Sequence, residues 1–168
     1  HKAKVISEID PDILVLQEVE DKTSLEEFNQ HFLPNYNCEP FSENILIPSS
    51  EGKGREQALL LKNGCQLESI KIHSIDDSES AKQELLEYEI QSPKGEKINL
   101  LSAYFPETNL DKEKAFKIRK NQAYQVSVIY KMLRMQGKSN IIIAGTLNAP
   151  SYCNSLSPLL QETDLKDI

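Results

Sequence analysis

The chain has 168 residues, of which 39% are hydrophobic, so it can fill one core without the help of a metal or a disulfide. Its net charge of −7 provides no overall basic field, which weakens the case for a non-specific nucleic-acid clamp without excluding a nuclease. No apolar run reaches the ~18 residues of a membrane span. These features predict a single ordered domain over residues 1–168.

The three cysteines are odd in number and far apart, with no CxxC pair. They are Cys38, Cys65 and Cys153. This pattern favours reduced thiols and a cytoplasmic protein over a disulfide-bonded secreted one.

The N-terminal third of the chain predicts two helices around one strand. Apolar residues at helical spacing predict a helix over 2–9, which Pro11 ends. These apolar residues are Val5, Ile6 and Ile9. The apolar run 13–16 predicts a buried strand, and a second helix is expected over 24–32. A stretch rich in proline and glycine, up to residue 54, then predicts loops.

The rest of the chain predicts five strands and one long helix. The strands are expected at 57–61, 71–74, 85–90, 98–103 and 140–144. The third and fourth form a hairpin through a turn at 92–95, where Gly95 tolerates the positive φ that closes it. The long helix is expected over 111–136 with Gly137 after its end, and a short helix near 155–161. The apolar stripe of the long helix comprises Phe116, Ala123, Val126, Tyr130 and Leu133. Interleaved strands and helices predict an α/β fold.

Three strands end in a polar residue: Glu18, Tyr104 and Asn148. Ends of buried strands are where loops gather site residues. Each residue also has a plain structural interpretation. Glu18 can be a solvated strand end, Tyr104 a half-buried aromatic, and Asn148 a turn residue.

Four segments resemble motifs of the endonuclease/exonuclease/phosphatase superfamily, and they occur in the order of that family. Pro11–Val19, with the sequence PDILVLQEV, resembles the PDIxxLQEv motif. Ala103–Pro106, AYFP, resembles the xYFP segment of the abasic-site endonuclease branch, and Ile141–Asn148, IIIAGTLN, resembles the (I/V)xxGDxN strand. Arg119 and Gln122 match an RxxQ spacing in the preceding helix. Together the matches cover essentially the whole chain.

The resemblance implies a fold and a chemistry. The fold is an α/β two-sheet sandwich flanked by helices, of the four-layer αββα type, incomplete at both ends. Glu18 takes the position of the family's ligand for Mg²⁺ or Mn²⁺, while Tyr104, Thr146 and Asn148 take catalytic positions. A hard oxygen ligand on a strand suits Mg²⁺, which keeps several waters. The implied function is a metal-dependent phosphoesterase or nuclease-type hydrolase acting on a phosphate ester, with nucleic acid among the candidates.

The sequence departs from the family pattern at Thr146, where the family has the aspartate that orients or deprotonates the attacking water. A hydroxyl cannot serve as a general base near neutral pH, and losing such a base costs ~10²–10⁴ in rate. The first-strand Asn ligand and the closing Asp-His pair are also not found, and His1, His31 and His73 are poor substitutes. We therefore expect a fragment with impaired activity.

Two alternatives remain open from the sequence. A non-catalytic relative would retain the fold as a phosphate- or partner-binding module, which Thr146 favours, whereas Glu18 and Asn148 favour the enzyme. The second alternative is an unrelated α/β domain in which the motifs occur by chance. The resemblance further implies that Glu18 and Asn148 face one cleft. The sequence does not choose among nucleic acid, phosphoinositide, sphingolipid and sugar-phosphate substrates, and its basic loop 52–55 is typical of solvated surface. The oligomeric state is not predicted.

Overall fold

A computed structural model describes residues 2–49, 56–75, 83–105 and 111–167. The chain forms two compact units, one of His1–Glu68 with Ile90–Lys97 and the other of Ser69–Glu89 with Ile98–Ile168. Three features named from the sequence lie outside the described residues, namely His1, the loop 52–55 and Pro106. That the whole chain is one domain stays a prediction.

The first unit contains an antiparallel sheet in the order β1-β3-β2. Its elements are α1 (Lys2–Ile9), β1 (Ile13–Val19), α2 (Lys22–Glu27), a π-helical turn (Phe28–Phe32), a 3-10 turn (Pro34–Tyr36), β2 (Glu43–Ile47) and β3 (Glu56–Leu61). Strand β2 was predicted as loop because prolines surround it. The strand exists because it pairs along its length with β3, a non-local contact that local patterning does not reveal.

Helices α1 and α2 pack on one face of this sheet. Ala3, Ile6 and Leu25 are buried there against Ala58 and Leu60. The expected apolar face of α1 was partly wrong. Val5 and Ile9 are 40% and 68% exposed, because spacing alone does not say which side of a short helix meets the sheet.

The remaining sheet has the order β4-β5-β6-β7. Its strands are β4 (Gln66–Ile75), β5 (Gln83–Gln91), β6 (Lys97–Tyr104) and β7 (Ile141–Thr146). The hairpin turn is confirmed, since the Gly95 N–H donates to the Ser92 carbonyl over 2.9 Å and Gly95 has φ +81°. The strands β6 and β7 are parallel, so their C-terminal ends lie at the same edge.

The long helix α3 (Lys112–Met135) packs on this sheet, burying Ala123, Val126 and Leu133 beside Leu85 and Leu101. Its predicted boundaries are confirmed. Asp111 caps the N-terminus by accepting from the Lys114 N–H over 3.0 Å, and Gly137, with φ +83°, follows the C-terminus. Phe116 was wrongly placed in the stripe and is 36% exposed. The short helix α4 (Ser157–Leu160) follows a 3-10 turn.

Strands β1 and β7, predicted as buried, are outer strands in the orders above and are mostly half-buried. Their apolar runs resembled central strands because run length does not distinguish the two positions. The α/β class, with two sheets and helices on them, is confirmed. None of the described helices has the length and apolar character needed to cross a bilayer.

Candidate active site

Three of the four predicted site residues lie at the C-terminal ends of β6 and β7. Tyr104 and Thr146 are the last residues of these strands and are paired in register. The ladder continues one step further, where the Phe105 N–H donates to the Thr146 carbonyl over 2.7 Å. Tyr104 and Thr146 are therefore direct neighbours at this edge.

Asn148 joins the same edge through its side chain. It lies two residues beyond β7 in the left-handed region, with φ +48°, and its Nδ2 donates to the Phe105 carbonyl over 2.6 Å. Residues two apart share a face only within a strand. Because β7 ends at Thr146, this rule does not place the side chain of Asn148 on the same face as that of Thr146. The hydrogen bond to Phe105 relates them instead, and it is a contact that the motif alone could not predict.

The strand-end trio, Tyr104, Thr146 and Asn148, offers hydroxyls and an amide but no carboxylate. The bond to Phe105 uses one of the two amide hydrogens of Asn148, so the other hydrogen and Oδ1 are available for a ligand. Thr146 and Asn148 are exposed, and Tyr104 is half-buried. This edge can bind and orient an oxyanion, but none of the three side chains can take a proton from water near neutral pH.

Glu18 lies in the first unit, at an irregularity near the end of β1. Leu16 pairs with Ala58 and Val19 with Glu56, so Gln17 and Glu18 together face one residue of β3. Such a bulge re-aims a side chain and is frequent beside active sites. Glu18 is exposed and has φ +57°, a conformation that a glutamate seldom adopts.

The Glu18 carboxylate suits one kind of metal site. Mg²⁺ prefers hard oxygen ligands and is often held by one or two carboxylates with several waters. In the part of the chain that the structure describes, no group of three or more His, Cys, Asp or Glu side chains is arranged to hold a metal. A single exposed carboxylate such as that of Glu18 is the kind of ligand with which proteins hold a Mg²⁺ ion that keeps several waters.

The RxxQ pair of α3 divides into two roles. Gln122 is buried and its Nε2 donates to Gln83 Oε1 over 2.7 Å, which is a structural role. Arg119 has a buried Nε without a hydrogen-bond partner among the described residues. Hydrogen bonds to Ser155 lower the pKa of the Cys153 thiol, and the positive charge of Arg119 adds to this effect. Arg119 therefore lies near the loop that follows Asn148.

The two described histidines, His31 and His73, do not enter the candidate site. His73 Nε2 lies 2.8 Å from Glu87 Oε2, and both side chains are at least nine-tenths buried. Lys138 joins this network through Glu87 and Glu89. Burial lowers the pKa of the Lys138 ammonium, but its hydrogen bonds to these carboxylates more than offset that effect, so the pKa is raised. His31 is exposed in the turn after α2.

A cavity of about 460 Å³ in the second unit includes none of the predicted site residues. Its apolar lining includes Ile141, Ile143, Leu147, Leu159 and Leu165. The polar groups at its wall already satisfy one another, since the Tyr130 hydroxyl donates to Asp164 over 2.5 Å and Arg134 lies 3.3 Å from the same carboxylate. The strand-end trio is therefore a better candidate for the functional site than this cavity, although a cavity of this size is a common place for ligands.

The chain has the fold of the endonuclease/exonuclease/phosphatase superfamily, as its four motifs predicted. It matches an endonuclease/exonuclease/phosphatase family protein from Bacteroides thetaiotaomicron with a TM-score of 0.70 and 15% identity, over 96% of this chain and 57% of the other. A mannosyl-6-phosphatase from the same organism matches with a TM-score of 0.69 and 15% identity, over 96% and 60%. D. rerio TDP2, complexed with a single-strand DNA product, matches with a TM-score of 0.61 and 14% identity, over 89% and 53%.

The chain thus spans less than two thirds of each of these structures. No protein-family model and no curated protein matches the sequence. At these identities the likeness establishes the fold alone.

Proposed function

We propose that this chain carries the phosphate-ester site of a metal-dependent hydrolase, with a catalytic step impaired by Thr146. The observation that carries the proposal is the convergence of Tyr104, Thr146 and Asn148 on one edge of two parallel strands. Support comes from the fold, which also occurs in a mannosyl-6-phosphatase and in TDP2.

In this proposal the Asn148 amide and the Tyr104 hydroxyl donate to phosphate oxygens from fixed positions, which is the arrangement that stabilises developing negative charge. Glu18 supplies the ligand for Mg²⁺ or Mn²⁺. The bound cation would offset charge on the phosphoryl group. Thr146 can hydrogen-bond to the attacking water but cannot deprotonate it, so the rate is lower by ~10²–10⁴ than with a carboxylate at that position.

The substrate is a phosphate ester. The names of the matched proteins include a sugar-phosphate hydrolase and a structure with bound DNA product, so the fold alone admits both substrate classes.

The test is a titration of ¹⁵N-labelled protein with thymidine 5′-phosphate in the presence of Mg²⁺, followed by amide chemical shifts. We expect the largest shifts at Phe105, Thr146 and Asn148, and binding at least ~5-fold weaker in Asn148→Ala, the loss of about one hydrogen bond. Asn63→Ala is the matched control, because Asn63 also has a positive φ, of +56°, and one Nδ2 hydrogen bond of 2.6 Å. Shifts confined to other surfaces would remove the basis of the proposal.

A second candidate, a phosphate-binding module without catalysis, is favoured by the missing carboxylate at Thr146. It predicts the same chemical shifts and no hydrolysis, even when that carboxylate is restored. A measurement of hydrolysis therefore distinguishes the two candidate functions, whereas a measurement of binding does not.

We also propose a cytoplasmic location, supported by the state of the cysteines. Cys38, Cys65 and Cys153 are free, and the first two are buried. Protein isolated without reductant and then denatured should titrate as three thiols.

A further inference from the structure

Helix α3 carries a charge opposite to that of the rest of the chain. It contains seven basic side chains and one acidic side chain, Glu113, and so has a net charge of +6 within a chain of −7. The basic residues are Lys112, Lys114, Lys117, Arg119, Lys120, Lys131 and Arg134. The residues outside the helix therefore sum to −13. A local basic surface exists here that the overall charge conceals.

Part of this charge lies in a stripe on the solvent side of α3, formed by Lys117, Lys120, Tyr124 and Lys131. Their spacings of three, four and seven residues put them on one helical face, and all four are exposed. The Tyr124 side chain is 52% exposed. From Lys117 to Lys131 the stripe extends ~21 Å along the helix axis.

The stripe is accessible to an anionic partner. Lys117 pairs with Glu113 over 2.7 Å, but both side chains are more than two thirds exposed, so solvent screens the pair and a polyanion can displace it. Lys120 and Lys131 have no ion-pair partner among the residues that the structure describes. The stripe therefore offers three ammonium groups around one exposed aromatic ring.

We propose that this stripe binds single-stranded nucleic acid, with the lysines contacting successive phosphates and Tyr124 stacking on a base. A basic groove or face with an exposed aromatic side chain is the arrangement that proteins use for single strands without sequence preference. The ~21 Å length exceeds what one small phosphate ester can contact and fits several phosphates of a strand.

A lipid surface fits the stripe less well. A helix that binds a bilayer buries a continuous apolar face in it. The apolar face of α3 is already packed on the sheet through Ala123, Val126 and Leu133. On the solvent side, the exposed apolar surface of Tyr124 and Val128 spans one turn and lies between Lys120 and Lys131, so it is not a continuous apolar face.

The test is the fluorescence anisotropy of a labelled 20-nucleotide single-stranded DNA of mixed sequence, titrated with protein in EDTA at salt concentrations from 25 to 200 mM. EDTA separates this proposal from the proposed hydrolysis. We expect log Kd to rise linearly with log salt. The triple variant K117Q/K120Q/K131Q should bind at least ~10-fold more weakly at the lowest salt and lower the slope by about 2, or ~0.7 per lysine on a single strand.

The matched control is K4Q/K22Q/K94Q, which changes the net charge equally at exposed lysines of the other unit. It should stay within ~3-fold of the wild type, since it removes only long-range attraction, which salt screens. Circular dichroism checks the fold of both variants.

The stacking contribution of Tyr124 is measured separately from the contribution of the lysines. Tyr124→Ala should weaken binding ~5-fold or more without changing the salt slope, because stacking releases no counterions. Tyr152→Ala is its control, since Tyr152 is 88% exposed in the same unit and lies outside α3. It should have no effect.

Three results would overturn the proposal. They are no binding at 25 mM salt, equal losses in the stripe and control triple variants, and binding to vesicles with 30% phosphatidylserine in the absence of DNA binding. None of these would affect the proposed phosphate-ester site, whose binding is tested at Asn148 and whose hydrolysis is tested at Thr146.

Discussion

Glu18 and Asn148 each lie near the end of a strand with a left-handed backbone conformation, and local chemistry explains this conformation better at Asn148 than at Glu18. At the end of β7, Asn148 is a residue type that tolerates a positive φ, and its amide is tied to Phe105. Near the end of β1, Glu18 adopts φ +57° although glutamate has no preference for it. Unfavourable backbone conformations of this kind cluster at active sites and ligand-binding positions. Glu18 is thus the stronger candidate for a role beyond structure, whereas the hydrogen bond to Phe105 gives Asn148 a structural role.

The largest difference that we expect between the two positions is in metal binding, at Glu18. Glu18→Gln removes a charged oxygen ligand and should weaken Mn²⁺ binding by ~10–100-fold, the range that loss of metal-site groups commonly gives. The measurement is calorimetric or EPR titration with Mn²⁺.

Glu20→Gln is the matched control, because Glu20 is a nearby exposed carboxylate without the positive φ. It should change Mn²⁺ affinity by less than ~2-fold, as a screened surface charge does. Equal losses in the two variants would show that Glu18 contributes only general negative charge.

The next effect concerns the stability of the β7 end. Asn148→Ala loses the hydrogen bond to Phe105 and replaces a residue type that tolerates the left-handed region by one that does not, so it should lower the free energy of unfolding by about 2 kcal/mol. Asn148→Gly loses the same bond without the backbone cost and should lower it by only about 1 kcal/mol. Urea unfolding of both variants measures the difference. Equal values would mean that the left-handed backbone is not retained in solution.

The smallest expected effect is a gain in stability when Glu18, near the end of β1, is replaced by glycine. Glu18→Gly relieves the positive φ and should raise the free energy of unfolding by about 0.5–1 kcal/mol, whereas Glu20→Gly should lower it slightly. A loss of stability in Glu18→Gly would mean that the interactions of the side chain outweigh the backbone cost, and that the position is structural.

The sequence predicted features that depend on local chemistry. The helix α3, its cap Asp111, Gly137 after its end and the hairpin turn at Gly95 follow from residue types within a few positions. Strand β2 could not be predicted, because its pairing with β3 is non-local and the surrounding prolines suggest a loop.

The motifs named residues for the candidate site but did not predict their geometry, and the roles of these residues stay predictions. Motifs named Glu18, Tyr104, Thr146 and Asn148. The bulge at Glu18 could not be predicted because it depends on the register of β1 with β3. The hydrogen bond from Asn148 could not be predicted either, because its acceptor, the Phe105 carbonyl, follows a different strand. The shared cleft for Glu18 and Asn148 stays a prediction. The net charge of −7 also concealed the +6 of α3, because composition averages over surfaces.

The central claim is that Thr146 deprives the proposed site of a water-orienting carboxylate. The most direct measurement is the rate of Mg²⁺-dependent hydrolysis of bis(p-nitrophenyl) phosphate by the wild type and by Thr146→Asp. Thr146 ends an outer strand and is exposed, so aspartate should leave the fold unchanged. The account predicts little or no turnover by the wild type and a gain of at least ~10-fold in Thr146→Asp, lost again when Glu18→Gln is added. No gain in a folded variant that binds Mn²⁺ would contradict it, and so would rapid turnover by the wild type.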